Sequence, residues 1–220
     1  MIHPLRRLGL AAWGLQPLYI LTEVIVGLRA SADYSFAGST VSDLGNTACR
    51  QVRGDVLCSP WHAGMNVAFI WFGCTLIAGA LMLGLRHLPG RLGTASVAMW
   101  CVSGAGSIGV GLFPVNAEPG VHGVVALPIF VAQPLAVLLG GLALRATRPG
   151  LARSAYVVTA LSAVGAIGFG AVVGSDAATI GALERLALWP GYVWVSVVAV
   201  SVAVSVVRGD AEHRTRRQVQ

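Results

Sequence analysis

His62-Ala-Gly-Met-Asn66-Val-Ala-Phe69-Ile-Trp-Phe-Gly-Cys74-Thr-Leu-Ile-Ala-Gly-Ala-Leu-Met-Leu-Gly-Leu85 runs for 24 residues without an Asp, Glu, Lys or Arg, and Arg86 follows at once. A helix of about 20 apolar residues crosses a hydrocarbon core of about 30 Å, so this stretch reads as a membrane span. Five more stretches read the same way, at approximately 9–28, 92–113, 122–144, 152–174 and 186–207. The whole chain is 55% hydrophobic and 11% charged, with a mean hydropathy of +0.74. Soluble domains carry about 25% charged residues. The apolar runs are continuous, which excludes a porin-type barrel of alternating strands. The expectation is an all-α integral membrane protein, a six-transmembrane-helix bundle over residues 1–207 with both termini cytoplasmic. Residues 208–220 read as a basic, flexible cytoplasmic tail. The first segment follows Arg6 and Arg7 but contains Gln16 and Glu23, and no clear cleavage site follows it, so it reads as a retained span.

The orientation comes from charge. All fifteen cationic side chains are Arg. Eleven of them (Arg6, Arg7, Arg86, Arg91, Arg145, Arg148, Arg153, Arg208, Arg214, Arg216, Arg217) fall in the N-terminus, the second and fourth connections and the tail. Set against Asp210 and Glu212, they give that side a charge of +9. The first, third and fifth connections hold Arg29, Arg50, Arg53 and Arg185 against Asp33, Asp43, Asp55, Glu118, Asp176 and Glu184, a charge of −2. The positive side faces the cytoplasm. The net charge of +6 is therefore a collar for anionic lipid headgroups and not a nucleic-acid surface. A cytoplasmic membrane is the expected location.

Small residues let membrane helices approach closely. Gly104, Gly106, Gly109 and Gly111 in the third span, and Gly165, Gly168, Gly170 and Gly174 in the fifth, read as packing surfaces. Val193–Val207 reads as lipid-facing or structural. Pro128 and Pro134 interrupt the fourth span. Either they distort it to line a cavity, or neighbouring groups satisfy the freed carbonyls. Cys74 and Cys101 lie in spans. Cys49 and Cys58 share the first outer connection and form either a small disulfide loop or two free thiols.

The polar residues able to do chemistry gather at the outer side. Glu23 lies within an apolar run, and Gln16, Tyr19 and Glu23 share a helix face. An ionisable group at membrane depth is a functional candidate. In the first outer connection, Thr40 or Ser42 is positioned to cap a short helix, and Ser39 or Ser42 beside a His imitates a hydrolase only weakly. Asp43 and Asn46 then fall one turn apart, facing inward beneath a loop cover or serving the cap. His62 and Asn66 lie on one side of the second helix. His122 follows Glu118, a spacing that pairs carboxylate with imidazole as acid and base. Glu184 and Arg185 open the last span, where Arg185 holds an anionic group or neutralises a nearby acid. Two imidazoles with Asp43 and Glu118 also make an open zinc set, although no compact zinc motif is present.

Several pieces, taken in order, carry a resemblance: Tyr34-Ser and Ser39-Thr-Val-Ser-Asp43-Leu-Gly45, Asn66 with Phe69, Gly111-Leu-Phe-Pro114 followed by His122 and Phe130, and Glu184-Arg185. Over residues 9–207 the chain resembles the bacterial six-span membrane proteins grouped as domain of unknown function 998, a name that implies no activity. More loosely, it is similar to small integral membrane terpene cyclases. That likeness implies protonation of an alkene or epoxide by intramembrane carboxylic acids, with no diphosphate-binding magnesium cluster.

The expected function is acid/base chemistry on a lipophilic substrate drawn from the membrane, first of all protonation-initiated cyclisation of a prenyl or terpenoid chain. Glu23, Asp43, Glu118, His62 and His122 are the expected catalytic set. Gln16, Tyr19, Asn46, Asn66, Phe69, Trp100, Phe113, Glu184 and Arg185 are expected to line the cavity. Trp13, Trp61 and Trp189 join Tyr19, Phe69, Trp100 and Phe113 as rings that steady a cation. No cofactor is expected and zinc is the alternative. The expected partners are membrane lipids and the substrate. The rival functions are lipid ester or amide hydrolysis, proton-coupled transport of a lipophilic compound, and a structural role.

Overall fold

The computed structural model describes residues 4–31, 33–52, 55–175 and 177–218. Arg53 and Asp176, counted above in the outer connections, lie outside the described residues, as do the side chains of Asp55, Arg214, Arg216 and Arg217. Six helical spans are long and apolar enough to cross a membrane. The first is built from α1 (Pro4–Gly14) and α2 (Pro17–Gly27). The second comprises α3 (His62–Gly79), a π-helical turn (Ala80–Gly84) and α4 (Leu85–His87). The remaining four are α5 (Gly90–Leu112), α6 (Pro119–Leu144), α7 (Pro149–Val172) and α8 (Ile180–Gln218). The protein is an all-α six-span membrane bundle, as its sequence predicts.

The first span is not the continuous helix the hydropathy suggests. Pro17 has no N–H to give the Trp13 carbonyl one turn earlier, and its ring crowds that carbonyl. The helix breaks at Leu15-Gln16, and the Ser196 hydroxyl of α8 donates to the Trp13 carbonyl at 2.8 Å instead. The Gln16 amide donates to Ala12 O (2.9 Å) and to Thr75 Oγ1 (3.0 Å) across to α3. Trp13 Nε1 donates to Leu76 O at 3.1 Å, and its indole lies where a side chain at Gly79 would stand. Pro190 likewise interrupts α8, where its missing N–H leaves Leu186 O without its usual donor, and the neighbouring carbonyls of that turn are held from outside the helix. The Gln133 amide of α6 donates to Ala187 O and Leu188 O in the preceding turn, at 3.2 and 2.7 Å.

Glycines set the helix spacing. A Cβ at Gly73 would come within 2.3 Å of Gly104 O, and one at Gly165 within 2.3 Å of Ala187 N. Those contacts seat α3 on α5 and α7 on α8 with backbones nearly touching. Gly170 and Gly174 depart from the packing role read for them, since nothing lies within 4 Å of a Cβ at either. In α8, Trp194, Val195, Val198 and Val202 are buried while Val193, Val197, Val200 and Val204 are exposed, so the helix has one core face and one lipid face.

The middle of the bundle is filled. Tyr19, Phe72 and Tyr192 cluster with tilted or edge-on rings, centroids 4.2 to 5.5 Å apart, and Trp13 meets Trp100 edge-on at 6.4 Å. Above this plug, the connection from α2 to α3 folds over the outer face. It contains a 3-10 turn (Ser42–Gly45) and a short hairpin of β1 (Arg50–Val52) and β2 (Asp55–Leu57). The Cys49–Cys58 disulfide closes the hairpin, which decides between the two states the sequence left open. Asn66 Nδ2 donates to Gly45 O (2.9 Å), and Thr47 and Asn116 clasp each other through two hydrogen bonds.

Arg185 ties this connection to the helices. Its Nε donates to Glu23 Oε1 at 2.8 Å. Nη1 donates to the carbonyls of Phe36, Ser39 and Gly181, and Nη2 to the Tyr34 hydroxyl. Trp189 Nε1 donates to the other Glu23 oxygen at 2.9 Å. Burial pushes the Tyr34 phenol above its ordinary value, so it stays protonated beside the guanidinium.

Two outcomes check this. In denaturing detergent, maleimide–polyethylene glycol adds two tags before reduction (Cys74 and Cys101) and four after it; four tags before reduction contradict the bridge. Arg185→Met strands the buried Glu23 carboxylate and lowers stability by about 3 kcal/mol, and adding Glu23→Leu restores part of that. Denaturation profiles showing an equal loss in the single and double variants count against the pair as the tie.

Candidate functional site

The bundle hollows out at its edge and not along its axis. A cavity of about 590 Å³ lies at the outer side between α6, α7, the start of α8 and the first connection. Its roof carries Thr40, Ser42, Asp43, Arg50 and Gln51, and its flank carries His122 and Glu184. Below them the wall turns apolar: Ala126, Leu127 and Phe130 from α6 face Ala166 and Phe169 from α7 and Val173 just past its end.

His122 is the best-defined group there. It is 6% exposed, one turn into α6, where its N–H bonds to Glu118 O at 2.8 Å. Its Nδ1 lies 2.8 Å from Phe113 O, and its Nε2 lies 3.0 Å from Ser42 Oγ. A carbonyl only accepts, so in the neutral ring Nδ1 carries the proton and donates to Phe113. Nε2 is then left with a lone pair that takes the Ser42 hydroxyl proton. Serine and imidazole stand as nucleophile and base do in covalent catalysis.

The 3-10 turn that presents Ser42 is locked from both ends. Thr40 N and Oγ1 both donate to Asp43 Oδ2 at 2.8 Å, and Asp43 N donates back to Thr40 Oγ1 at 3.2 Å. The reciprocal pair is that of a capping box. Asp43 Oδ1 is 3.6 Å from Arg50 Nη1 and 3.4 Å from Asn46 Nδ2. Asp43 thus shapes the turn while also lining the cavity. The Ser59 hydroxyl donates to Leu44 O at 2.7 Å and holds the far end of the turn. Glu184 Oε2 accepts the Val41 N–H at 2.6 Å, so a second carboxylate both fixes the turn and faces the hollow.

The expected residues do not all meet. Glu118 stands at the start of α6 with φ −135° and ψ 65°, its side chain exposed. Only its carbonyl reaches His122, so the expected carboxylate–imidazole pair is replaced by Phe113 O and Ser42. Glu23 is 0% exposed, engaged by Arg185 and Trp189, and lines no part of the cavity. His62 turns its Nδ1 to Ser59 O at 3.0 Å and also stays outside. Among the described residues no three His, Cys, Asp or Glu side chains converge as metal ligands, so His62, His122, Asp43 and Glu118 do not form the zinc set.

Among the expected lining residues, Glu184 faces the cavity. Gln16, Tyr19, Phe69 and Trp100 belong to the packed middle, while Asn46 and Asn66 brace the 3-10 turn. Phe113 is 38% exposed and serves His122 through its carbonyl. Arg185 lines a small apolar recess with Val24, Phe36 and Trp189 on the opposite side of the connection. The aromatic rings at the cavity are Phe130 and Phe169, neither of them among the rings the sequence suggested. Ser42 was visible in sequence as a capping candidate and, weakly, as a hydrolase-like serine beside an unspecified His. Its pairing with a histidine 80 positions away had no local signal.

No curated protein and no solved structure matches the chain. A family model described as "Protein of unknown function (DUF998)" matches residues 16–201. The match takes in four membrane spans whole, α2 of the first span, most of the last, and the whole connection that carries Ser42, and the chain belongs to this DUF998 family.

Proposed function

We propose that the protein is an enzyme of the bacterial cytoplasmic membrane that hydrolyses or transfers the acyl group of a lipophilic ester or amide at its outer face. The observation that carries this reading is the Ser42 Oγ–His122 Nε2 hydrogen bond of 3.0 Å at a cavity with a polar roof and apolar walls. His122 Nε2 takes the hydroxyl proton as Ser42 Oγ bonds to the carbonyl carbon. The resulting imidazolium returns that proton to the departing alcohol or amine. Water, or a lipid hydroxyl, then repeats the sequence on the acyl–serine and releases it. The Phe113 carbonyl keeps the ring oriented, the office a carboxylate performs in the better-known triads. Arg50 is the one cation lining the cavity among the described residues, and its N–H groups suit a developing oxyanion or an anionic headgroup. The steps use no cofactor.

A second reading, protonation-initiated cyclisation of a prenyl chain, is supported by Glu184. Its carboxyl faces the same cavity above the rings of Phe130 and Phe169, which suit a carbocation. Of the acids named from sequence, Asp43 and Glu184 line that space, and Asp43 is occupied by Thr40 and Arg50.

The two readings separate in purified protein reconstituted in nanodiscs. With a long-chain p-nitrophenyl ester, Ser42→Ala and His122→Gln lower kcat/KM by about 10² to 10⁴. His62→Gln, outside the cavity, stays within about twofold. Ester turnover that survives Ser42→Ala removes the acyl-transfer reading. Cyclised product from a prenyl epoxide, lost in Glu184→Gln but kept in Ser42→Ala, establishes the second.

A further inference from the structure

Six cavity-lining residues of α6, Pro119, His122, Gly123, Ala126, Leu127 and Phe130, fall at intervals of three and four, so they share one helix face. Phe130 is the innermost of them. At 1.5 Å per residue it lies about 12 Å below His122 along the helix. α7 runs the other way, and the lining residues descend from Gly174 and Val173, just past its end, through Gly170 and Phe169 to Ala166. At the bottom Phe130 and Phe169 stack with centroids 4.7 Å apart and planes 6° from parallel. Deeper still, α6 and α7 close up, since a Cβ at Gly141 would come within 2.5 Å of the Ala155 methyl. The two helices are therefore tight in their inner halves and splayed in their outer halves, and the stacked rings mark where they part.

The glycines that line the splayed part are unlike those that seat α5 against its neighbours. Gly123 and Gly170 both line the cavity, and nothing lies within 4 Å of a Cβ at either. Gly104, Gly106 and Gly109 would each meet a neighbouring helix within 2.8 Å. The space beside Gly123 and Gly170 is the cavity itself. Leu127 and Val173, 65% and 57% exposed, put its rim on the bundle's lipid-facing flank.

We propose that the cavity binds a single-chain amphiphile. Its reacting polar end sits at Ser42 and His122, its chain descends between α6 and α7, and the Phe130–Phe169 stack is the floor that limits chain length. This rests on the cavity being a lipid-substrate site and adds the substrate class and the residues that select it. Each methylene buried above the floor strengthens binding about fourfold. Methylenes beyond it have no room and add nothing.

The test uses Ser42→Ala protein in nanodiscs, so binding is read without turnover. A dansyl-labelled undecanoic acid is displaced by n-alkanols of increasing length, each corrected for partition into empty nanodiscs. Affinity is expected to climb and then level off at one chain length. Phe130→Ala moves that break to longer chains by about two carbons or more. Gly170→Leu starts a side chain where a Cβ meets nothing within 4 Å, and it moves the break to shorter chains or abolishes probe binding. A break unmoved by both substitutions, or no saturable probe binding, overturns the proposal. Failure of the acyl-transfer chemistry alone shows up differently, as chain-length-dependent binding in a protein that never turns over an ester.

Discussion

The Arg185 guanidinium, buried at the outer end of the last span, organises this molecule. A charge removed from water is tolerated only when paired and fully hydrogen-bonded. Arg185 meets that demand by gathering its partners from three places: Glu23 of the first span, the Phe36 and Ser39 carbonyls and Tyr34 hydroxyl of the first connection, and its own helix at Gly181. The last of these leaves no room for a side chain, since a Cβ at Gly181 would lie 2.1 Å from Ser39 O. Satisfying one cation thus forces a loop of some thirty residues down onto the helices.

The consequences run outward from that contact. With Phe36 and Ser39 fixed, the chain delivers Val41 N to Glu184 and the Thr40–Asp43 box to the rim of α6. Ser42 is thereby set against His122, whose other nitrogen is held by Phe113 O at the end of α5. The contacts that position the pair come from the first connection, α5, α6 and α8. Because the bundle axis is filled by Tyr19, Phe72, Tyr192 and the Trp13–Trp100 pair, the cavity beside Ser42 and His122 lies off the axis, where α6 and α7 diverge. The geometry favours a site reached from the membrane flank, with dry walls and a polar roof.

The spans were legible in the sequence because length and hydropathy report directly on the cost of leaving backbone or charge in hydrocarbon. The grouping of Arg on alternate connections carries the expected orientation by a separate rule of charge bias. What periodicity could not supply was the partner of each polar group. Glu23 reads as a proton donor when seen alone, and as a counter-ion once Arg185, 162 positions on, is beside it. Glu118 and His122 have helical spacing, yet Glu118 sits at the helix cap, where its side chain leaves the shared face. Pro17 held a readable clue to the break in the first span, whereas Ser196, which heals it, lies 183 positions from Trp13. Glycine content announced close packing but could not separate Gly104, pressed against α3, from Gly170, facing an empty groove.

The central claim is that the pinned connection presents Ser42 as an activated hydroxyl to whatever occupies the cavity. A long-chain alkyl fluorophosphonate, incubated with the protein in nanodiscs and located by peptide mass spectrometry, tests it most directly. The account predicts a phosphonyl adduct on the Ser42 peptide that disappears in His122→Gln protein. An unmodified Ser42, or an adduct that forms equally well without the histidine, would contradict it.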